Sequence, residues 1–421
     1  KFLDYIRKMN RKSDESVCLY SNDGDILFLA IGLQKKNTYV LRDVKESKIE
    51  IEQYDDKEHL YVNIDICRKE IYKDLTRHYK QNNPKINELS VTNDLLFLGF
   101  MFGNDFVSSL QFLKIAGGGF DMLFGFYRTI LNKLNDNLIY YDIDSEEDPV
   151  VNMEFLRNIF YMLSSVEDKF MKNLQKTINN DMEGKIGYFQ RKSEEDKTDY
   201  EKDISRYIHS RVCSSHNPLY SNYAKDFTMI NYDLPKDQWK EQYYKYFLGV
   251  SMDDKKEYYE HVNMVVKNYL ESLLFTLKYY FKGVPSWSWC YKYRVSPIPS
   301  DVAHYITKIF KDINKLSFEQ GEPYTPFQQL MMILSYKQSA MVPKKLSVLM
   351  TDPKYLLVQY YPIECRLDPL AGLKYEYSEV ILPEIDDELF IPVVKEAEKK
   401  LSKTDMVRNQ IVMEPYVFTS K

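Results

Sequence analysis

The spacing of apolar and polar residues changes character several times along the chain. Cys18–Leu33 (C-L-Y-S-N-D-G-D-I-L-F-L-A-I-G-L) is an apolar strand, an acidic turn and a short apolar helix. Residues 38–43 and 58–64 read as short strands. Thr92–Phe102 is apolar nearly throughout, the mark of a buried helix, and Asn104–Asp105 ends it. Within Asp121–Leu134, Met122, Leu123, Phe126, Ile130 and Leu131 recur at helical spacing, and Met153–Ile178 continues in the same style. Gln190–Asp203 is almost wholly polar and predicts an exposed linker, because it has too little apolar surface to offset the entropy of ordering. Val262–Phe281 gathers Val262, Val265, Val266, Tyr269, Leu270, Leu273, Leu277, Tyr280 and Phe281 on one helix face. Ser300 and Asp301 are suitable caps for a helix through Ile313. Prolines then punctuate the chain at 323, 326, 343, 353, 362, 383 and 392, and a charged helix, Val394–Ser402, precedes the tail. The pattern predicts an α/β start, a mostly helical middle and a loop-rich end.

Composition narrows the classes. The 421 residues are 44% hydrophobic, enough for one large core or two ordinary ones. A net charge of −5 argues against a nonspecific nucleic-acid coat, though not against a local groove. The longest apolar stretch, Leu95–Gly103, is far shorter than the ~20 residues of a membrane span, so no membrane partner is expected. Lys1, Asp4, Arg7 and Lys8 interrupt any signal-peptide pattern. Cysteines at 18, 67, 213, 290 and 365 are odd in number and scattered, which predicts reduced thiols and a cytoplasmic or nuclear location.

Two acidic motifs carry candidate chemistry. Asp23-Gly24-Asp25 puts two carboxylates at a strand end, where they can converge on Mg²⁺, a cation that takes oxygen ligands. Asp-Gly is equally a favoured turn dipeptide, so a plain polar turn competes. In Gly103-Asn104-Asp105, Asp105 follows a very apolar helix and reads either as a cap or as a functional carboxylate at the rim of a core. His209, Cys213 and His216 could approach one metal but lack the fourth ligand that zinc takes. Ala116–Gly119 reads as a hinge, and no P-loop, dinucleotide-binding or nucleophile-elbow motif is present. Trp287, Trp289, Tyr291 and Tyr293 form an aromatic cluster that is read as core, with both Trp side chains mostly buried.

Taken together, these motifs resemble the Xrn family of 5′→3′ exoribonucleases. Asp23-Gly24-Asp25 is similar to the family's D-A-D-L-I-M-L segment, and Gly103-Asn104-Asp105-Phe106 to its G-N-D-F. Lys1–Arg7 (K-F-L-D-Y-I-R) resembles K-I-M-D-Y-I-R, Val40–Asp43 resembles L-L-R-E, and Gly283–Trp289 is nearly G-V-P-S-W-S-W. Tyr293, Ser296-Pro297 and Ser300-Asp301 are similar to Y-x-x-A-P-x-x-S-D, and Pro326–Met331 to P-F-E-Q-L-M. Leu349–Pro353, Tyr361-Pro362, Leu382-Pro383 with Ile385–Glu388, and Arg408-Asn409 follow in the family's order. Residues 140–235 are the poorest part of the resemblance.

The resemblance implies an α/β fold: the later part of an Xrn-like nuclease domain, a mixed sheet with helices, followed by a largely helical, loop-rich second region. The division it implies is 1–140 for the nuclease core, 141–235 for a helical and polar linker, and 236–421 for a second conserved region that braces the active site. The implied activity is Mg²⁺-dependent hydrolysis of 5′-monophosphorylated single-stranded RNA to mononucleotides, with Mn²⁺ as substitute ion. Asp23, Asp25 and Asp105 are implied as metal-binding and catalytic carboxylates, and Tyr377 as an aromatic stacking on the 5′ base. In the family an E-G-E-H segment with further acidic ligands and a 5′-phosphate pocket precede K-I-M-D-Y-I-R, so a preceding part of the same catalytic region is expected as partner. Departures are Gly24 for Ala, Ser21-Asn22 for Gly-Leu, and loss of the prolines after G-N-D-F. The competing expectation is a catalytically degenerate scaffold subunit beside RNA polymerase or another RNA-processing machine. A DNA flap nuclease is a third reading, against which the Trp-rich and P-F-Q-Q-L-M segments argue.

Overall fold

The computed structural model describes residues 6, 15–43, 59–111, 113, 118–143, 145–191, 193, 195–197, 202, 230–250, 252–293, 295–363, 366–368 and 379–412. Among the described residues the chain is mostly helical, with one small mixed sheet and two short antiparallel pairs of strands. It divides into two compact units, residues 1–174 with 230–320 and 415–421, and residues 175–229 with 321–414. These lines differ from the three sequence segments, because residues 230–320 bury their apolar helix faces in the same core as the amino-terminal elements.

In the first unit, β1 (Val17–Tyr20) pairs in parallel with β2 (Thr38–Asp43), which pairs antiparallel with β3 (His59–Asn63). Helix α1 (Asp25–Gly32) makes the crossover between the parallel strands, as such a connection demands. Among the described residues these three strands form a small mixed sheet, and the helices supply most of the core. Helix α2 (Ile64–Thr76) is capped by Asn63, whose side chain accepts from the Ile66 amide. Helix α3 (Glu88–Phe100) starts in a capping box between Asn87 and Ser90. It is buried on all sides, which explains its apolar sequence. Helix α4 (Gly119–Leu134) ends at Asn135 in the left-handed region. Strands β4 (Ile139–Tyr140) and β5 (Val150–Val151) then lead into α5 (Met153–Arg191), α6 (Lys236–Leu248) and α7 (Lys255–Phe281).

Helix α7 buries the face read from the sequence, and it contacts both α1 and α3. Ser300 and Asp301 are not caps. Pro299 opens α8 (Pro299–His304) one residue earlier, and the helix continues only as a π-turn to Ile309. Asp301 instead receives Lys240 at 2.6 Å and the Tyr244 hydroxyl at 2.7 Å. Helix α5 runs beyond Ile178 to Arg191; in the segment expected to be an exposed linker, Ser193, Glu195 and Asp196 are exposed as expected, whereas Lys197 is buried. Most of that polar segment lies outside the described residues.

The second unit contains α9 (Pro326–Ile333), α10 (Lys344–Thr351), a pair of strands β6 (Arg366–Asp368) and β7 (Glu379–Ile381), α11 (Asp387–Glu398) and α12 (Lys403–Arg408). Its core joins Phe327, Met331, Leu346, Met350, Phe390 and Val394. Glu398 ties the unit together, accepting from Thr325 (2.6 Å), Gln328 (2.8 Å) and Asn409 (2.6 Å). Helix α11 starts seven residues before the expected Val394, because Asp386 caps it and Pro392 is accommodated inside it. Among the described residues no helix is long and apolar enough to cross a membrane.

Candidate active site

Both acidic motifs lie in the first unit, on loops whose shape their own residues fix. At the end of β1, the Asp23 amide donates to Ser21 Oγ (3.1 Å) and the Asp25 amide to Asp23 Oδ1 (3.1 Å). Asn22 staples this loop to the end of β2: its Nδ2 donates to Asp43 Oδ2 (2.8 Å) and its Oδ1 accepts from the Asp43 amide (2.9 Å). Asp43 also receives the Tyr20 hydroxyl and meets His59 Nδ1 at 3.1 Å. Asp23 is left exposed, and Asp25 is half-buried in the first turn of α1. Gly24 is helical at φ −65°, and a Cβ there would meet nothing within 4 Å, so its replacement of the family's Ala costs the loop nothing sterically.

The second loop follows α3. Gly103 turns the chain at φ +97°, a left-handed value that favours glycine, and its α-carbon faces Ser109 so closely that a Cβ would stand 2.9 Å from the Ser109 Cβ. Asn104 Oδ1 accepts from the amides of Phe106 and Val107, both at 2.9 Å. Asp105 is thereby presented at the exposed tip, while the Phe106 ring turns inward onto Phe275 (5.2 Å) and Tyr279 (4.9 Å) of α7.

The two loops share one electrostatic field. Burial raises the pKa of Asp25 most, and the charges of Asp23 and then Asp105 raise it further. Across eighty residues of sequence, Asp25 is thus within reach of the charges of both Asp23 and Asp105. Among the described residues, however, no three His, Cys, Asp or Glu side chains stand close enough to hold a metal ion. Tyr280, buried on α7 with its ring 4.9 Å from Phe100, feels the same charges. Burial first, then Asp25, Tyr279, Asp105 and Asp23, push its phenol up, so it stays neutral and able to donate. The sequence placed Tyr280 on the buried face of α7; its nearness to the carboxylates could not be read there.

Trp287 and Trp289 are mostly covered, as expected, though neither lies fully inside the core. The reason lies in the turn they occupy: the Trp287 amide is held by the Gln320 carbonyl (2.8 Å), and the Trp289 indole stacks on Phe275 (4.7 Å, 24°) while its Nε1–H points at Glu271 (3.4 Å) near the surface. Tyr377, His209, Cys213 and His216 lie outside the described residues.

A helical body carrying an acidic strand-end loop and a G-N-D-F loop has a counterpart among known families. Residues 85–421 match the family profile described as the Xrn1 helical domain. The chain belongs to the Xrn family. It is 25% identical to human 5′-3′ exoribonuclease 1 over 97% of its own length and 24% of that protein. It is 23% identical to the fission-yeast (Schizosaccharomyces pombe) 5′-3′ exoribonuclease 1 over 97% of the chain and 36% of that relative. With chicken (Gallus gallus) 5′-3′ exoribonuclease 2 it shares 23% identity over 98% of the chain and 50% of the relative. The chain thus spans between about a quarter and a half of the length of these relatives.

Proposed function

We propose that this chain is part of a 5′→3′ exoribonuclease that hydrolyses 5′-monophosphorylated single-stranded RNA to mononucleotides, and that its first unit contributes the later part of the nuclease core. The observation that carries this reading is the shared field of Asp23, Asp25 and Asp105, on two loops that resemble the family's acidic segments. The donor set suits a hard divalent cation: all three groups offer oxygen, and burial first, then the charges of Asp23 and Asp105, push the pKa of Asp25 up, so that a cation would offset the repulsive part. Mg²⁺, with Mn²⁺ as substitute, would be held by these carboxylates together with further ligands. A bound divalent ion supplies charge neutralisation at a scissile phosphodiester and lowers the pKa of an attacking water. The residues of this chain orient that chemistry. Asn22 and Asn104 lock the two loops.

The second reading is a scaffold that has lost catalysis, acting beside an RNA-processing or transcription machine. It is favoured by the lack, among the described residues, of three ligands close enough for an ion. The test is mononucleotide release from 5′-monophosphorylated RNA by the natural full-length protein with Mg²⁺, with 5′-hydroxyl RNA as control. Catalysis predicts release from the first substrate that collapses on Asp23→Ala or Asp105→Ala. Inactivity of the wild-type protein on both RNAs favours the scaffold.

A further inference from the structure

The tip of the Gly103–Val107 loop is held from the outside by aromatic rings rather than by ion pairs. Phe106, next to Asp105, packs against Phe275 at 5.2 Å and Tyr279 at 4.9 Å, two residues one turn apart on α7. Phe275 is 3% exposed and is itself stacked by Trp289 at 4.7 Å and met edge-on by Phe318 at 5.5 Å. Trp289 and Phe318 close the cluster with rings 5.7 Å apart. Next to Tyr279, Tyr280 meets Phe100 of α3 at 4.9 Å, and a Cβ on Gly32 of α1 would stand 3.9 Å from its ring. Helix α7 therefore touches α1, which begins with Asp25, α3, which leads to Asp105, and the loop of Asp105 itself.

We propose that Phe275 and Tyr279, backed by Trp289, form an aromatic clamp on Phe106 that fixes the Asp105 carboxylate relative to Asp25, making all three positioning residues of the acidic site. The clamp rests on the reading of Asp105 as a site carboxylate. The loop's own bonds, from Asn104 to the amides of Phe106 and Val107, shape the turn but do not tie it to α1. Helix α3 itself packs on α1, with Leu96 against Gly32 and Phe28 against Gly99, and α7 adds the tie that reaches the loop tip through Phe106. Aromatic pairs of this kind hold a fixed ring geometry, so the clamp restricts rotation of the loop as well as its distance. Residues that orient a metal-binding carboxylate without touching the ion commonly govern its affinity.

The experiment uses the full chain with Trp289→Ala, Phe275→Leu and the conservative Trp289→Phe. Trp289 is half-buried, so its truncation is the variant more compatible with folding. Backbone hydrogen exchange is followed at Phe106 and Val107, and Mn²⁺ affinity is followed by electron paramagnetic resonance. The expected result is exchange at these two amides accelerated about tenfold or more in Trp289→Ala and Phe275→Leu, with protection along α3 kept. Mn²⁺ affinity is expected to fall about 10–100-fold in the same variants, and Trp289→Phe is expected to restore both. Unchanged exchange at Phe106 and Val107 overturns the clamp, and so does a loss of protection spread evenly through α3, which would mark a general loss of stability. A loosened loop with wild-type Mn²⁺ affinity overturns the positioning role. A loosened loop in a protein whose wild type binds no Mn²⁺ leaves the clamp standing and defeats the ion-binding reading instead.

Discussion

The hydroxyl of Tyr127 donates to the carboxylate of Asp94 at 2.9 Å, deep inside the first unit, where neither residue is exposed. The same carboxylate accepts from the amides of Leu138 (3.0 Å) and Ile139 (2.7 Å), so one acidic group from α3 satisfies donors from α4 and from the start of β4. Asp94→Asn keeps the shape but turns an N–H₂ group toward at least one of these donors. It is expected to destabilise the chain by about 1–3 kcal/mol, the cost of a buried donor left unmatched. Asp94→Ala, which abandons all three, should cost more. Urea midpoints of the two variants check the order.

Asp94 also makes stability depend on pH. Burial outweighs its three hydrogen bonds and brings its pKa up to about 7, against about 4 in an unfolded chain. The folded state therefore binds this proton more tightly than the unfolded state. The stability it contributes is fully present below pH ~4, is lost as pH rises toward 7, and changes no further above that. A thermal midpoint that falls between pH 5 and 8 in the wild type, with a shallower fall in Asp94→Asn, is the expected outcome.

Gly103 and Gly24 flank the two acidic loops and should respond oppositely to alanine. At Gly103 the left-handed backbone and the 2.9 Å approach to Ser109 make Gly103→Ala costly, by about 1–3 kcal/mol. At Gly24 the backbone is already helical and the space open, so Gly24→Ala should be neutral or gain about 0.4–1 kcal/mol by restricting the unfolded chain. Paired denaturation curves decide it.

Asp105→Asn should stabilise the ion-free protein. The Asp105 charge helps to raise the pKa of Asp25, after burial and Asp23, so removing it relieves repulsion. Because that pKa is raised, the repulsion grows as pH rises through the folded value and vanishes in acid, and the gain should follow the same course. Divalent cation should raise the wild-type midpoint, by about 2.7 kcal/mol at a hundredfold excess over Kd, and should do little for Asp105→Asn. Monovalent salt at equal ionic strength is the control, and an equal response to both salts would sink the ion-binding reading.

What the sequence by itself determined follows from local chemistry. The apolar run at Thr92–Phe102, the one-sided face of Val262–Phe281 and the strand–turn–helix of Cys18–Leu33 could each be read, because burial of such patterns leaves few alternatives. The ordered motifs also sufficed to identify the family. The sequence misplaced the start of α8, where Pro299 at the first helical position outcompetes Ser300 as a cap, and the start of α11, where a mid-helix Pro392 reads as a breaker. Local pattern alone left Asp23-Gly24-Asp25 and Asn104-Asp105 open as turns, caps or parts of one site, and it was the family resemblance that implied one site. Both loops are in fact turns shaped by their own side chains, and only the tertiary structure brings their carboxylates into one field. The physical reason is that α1 and α3 pack on each other, and that α7, far downstream of Asp105, packs against both and seats Phe106. Contacts between elements so far apart in the chain leave no periodic trace in the sequence of either one.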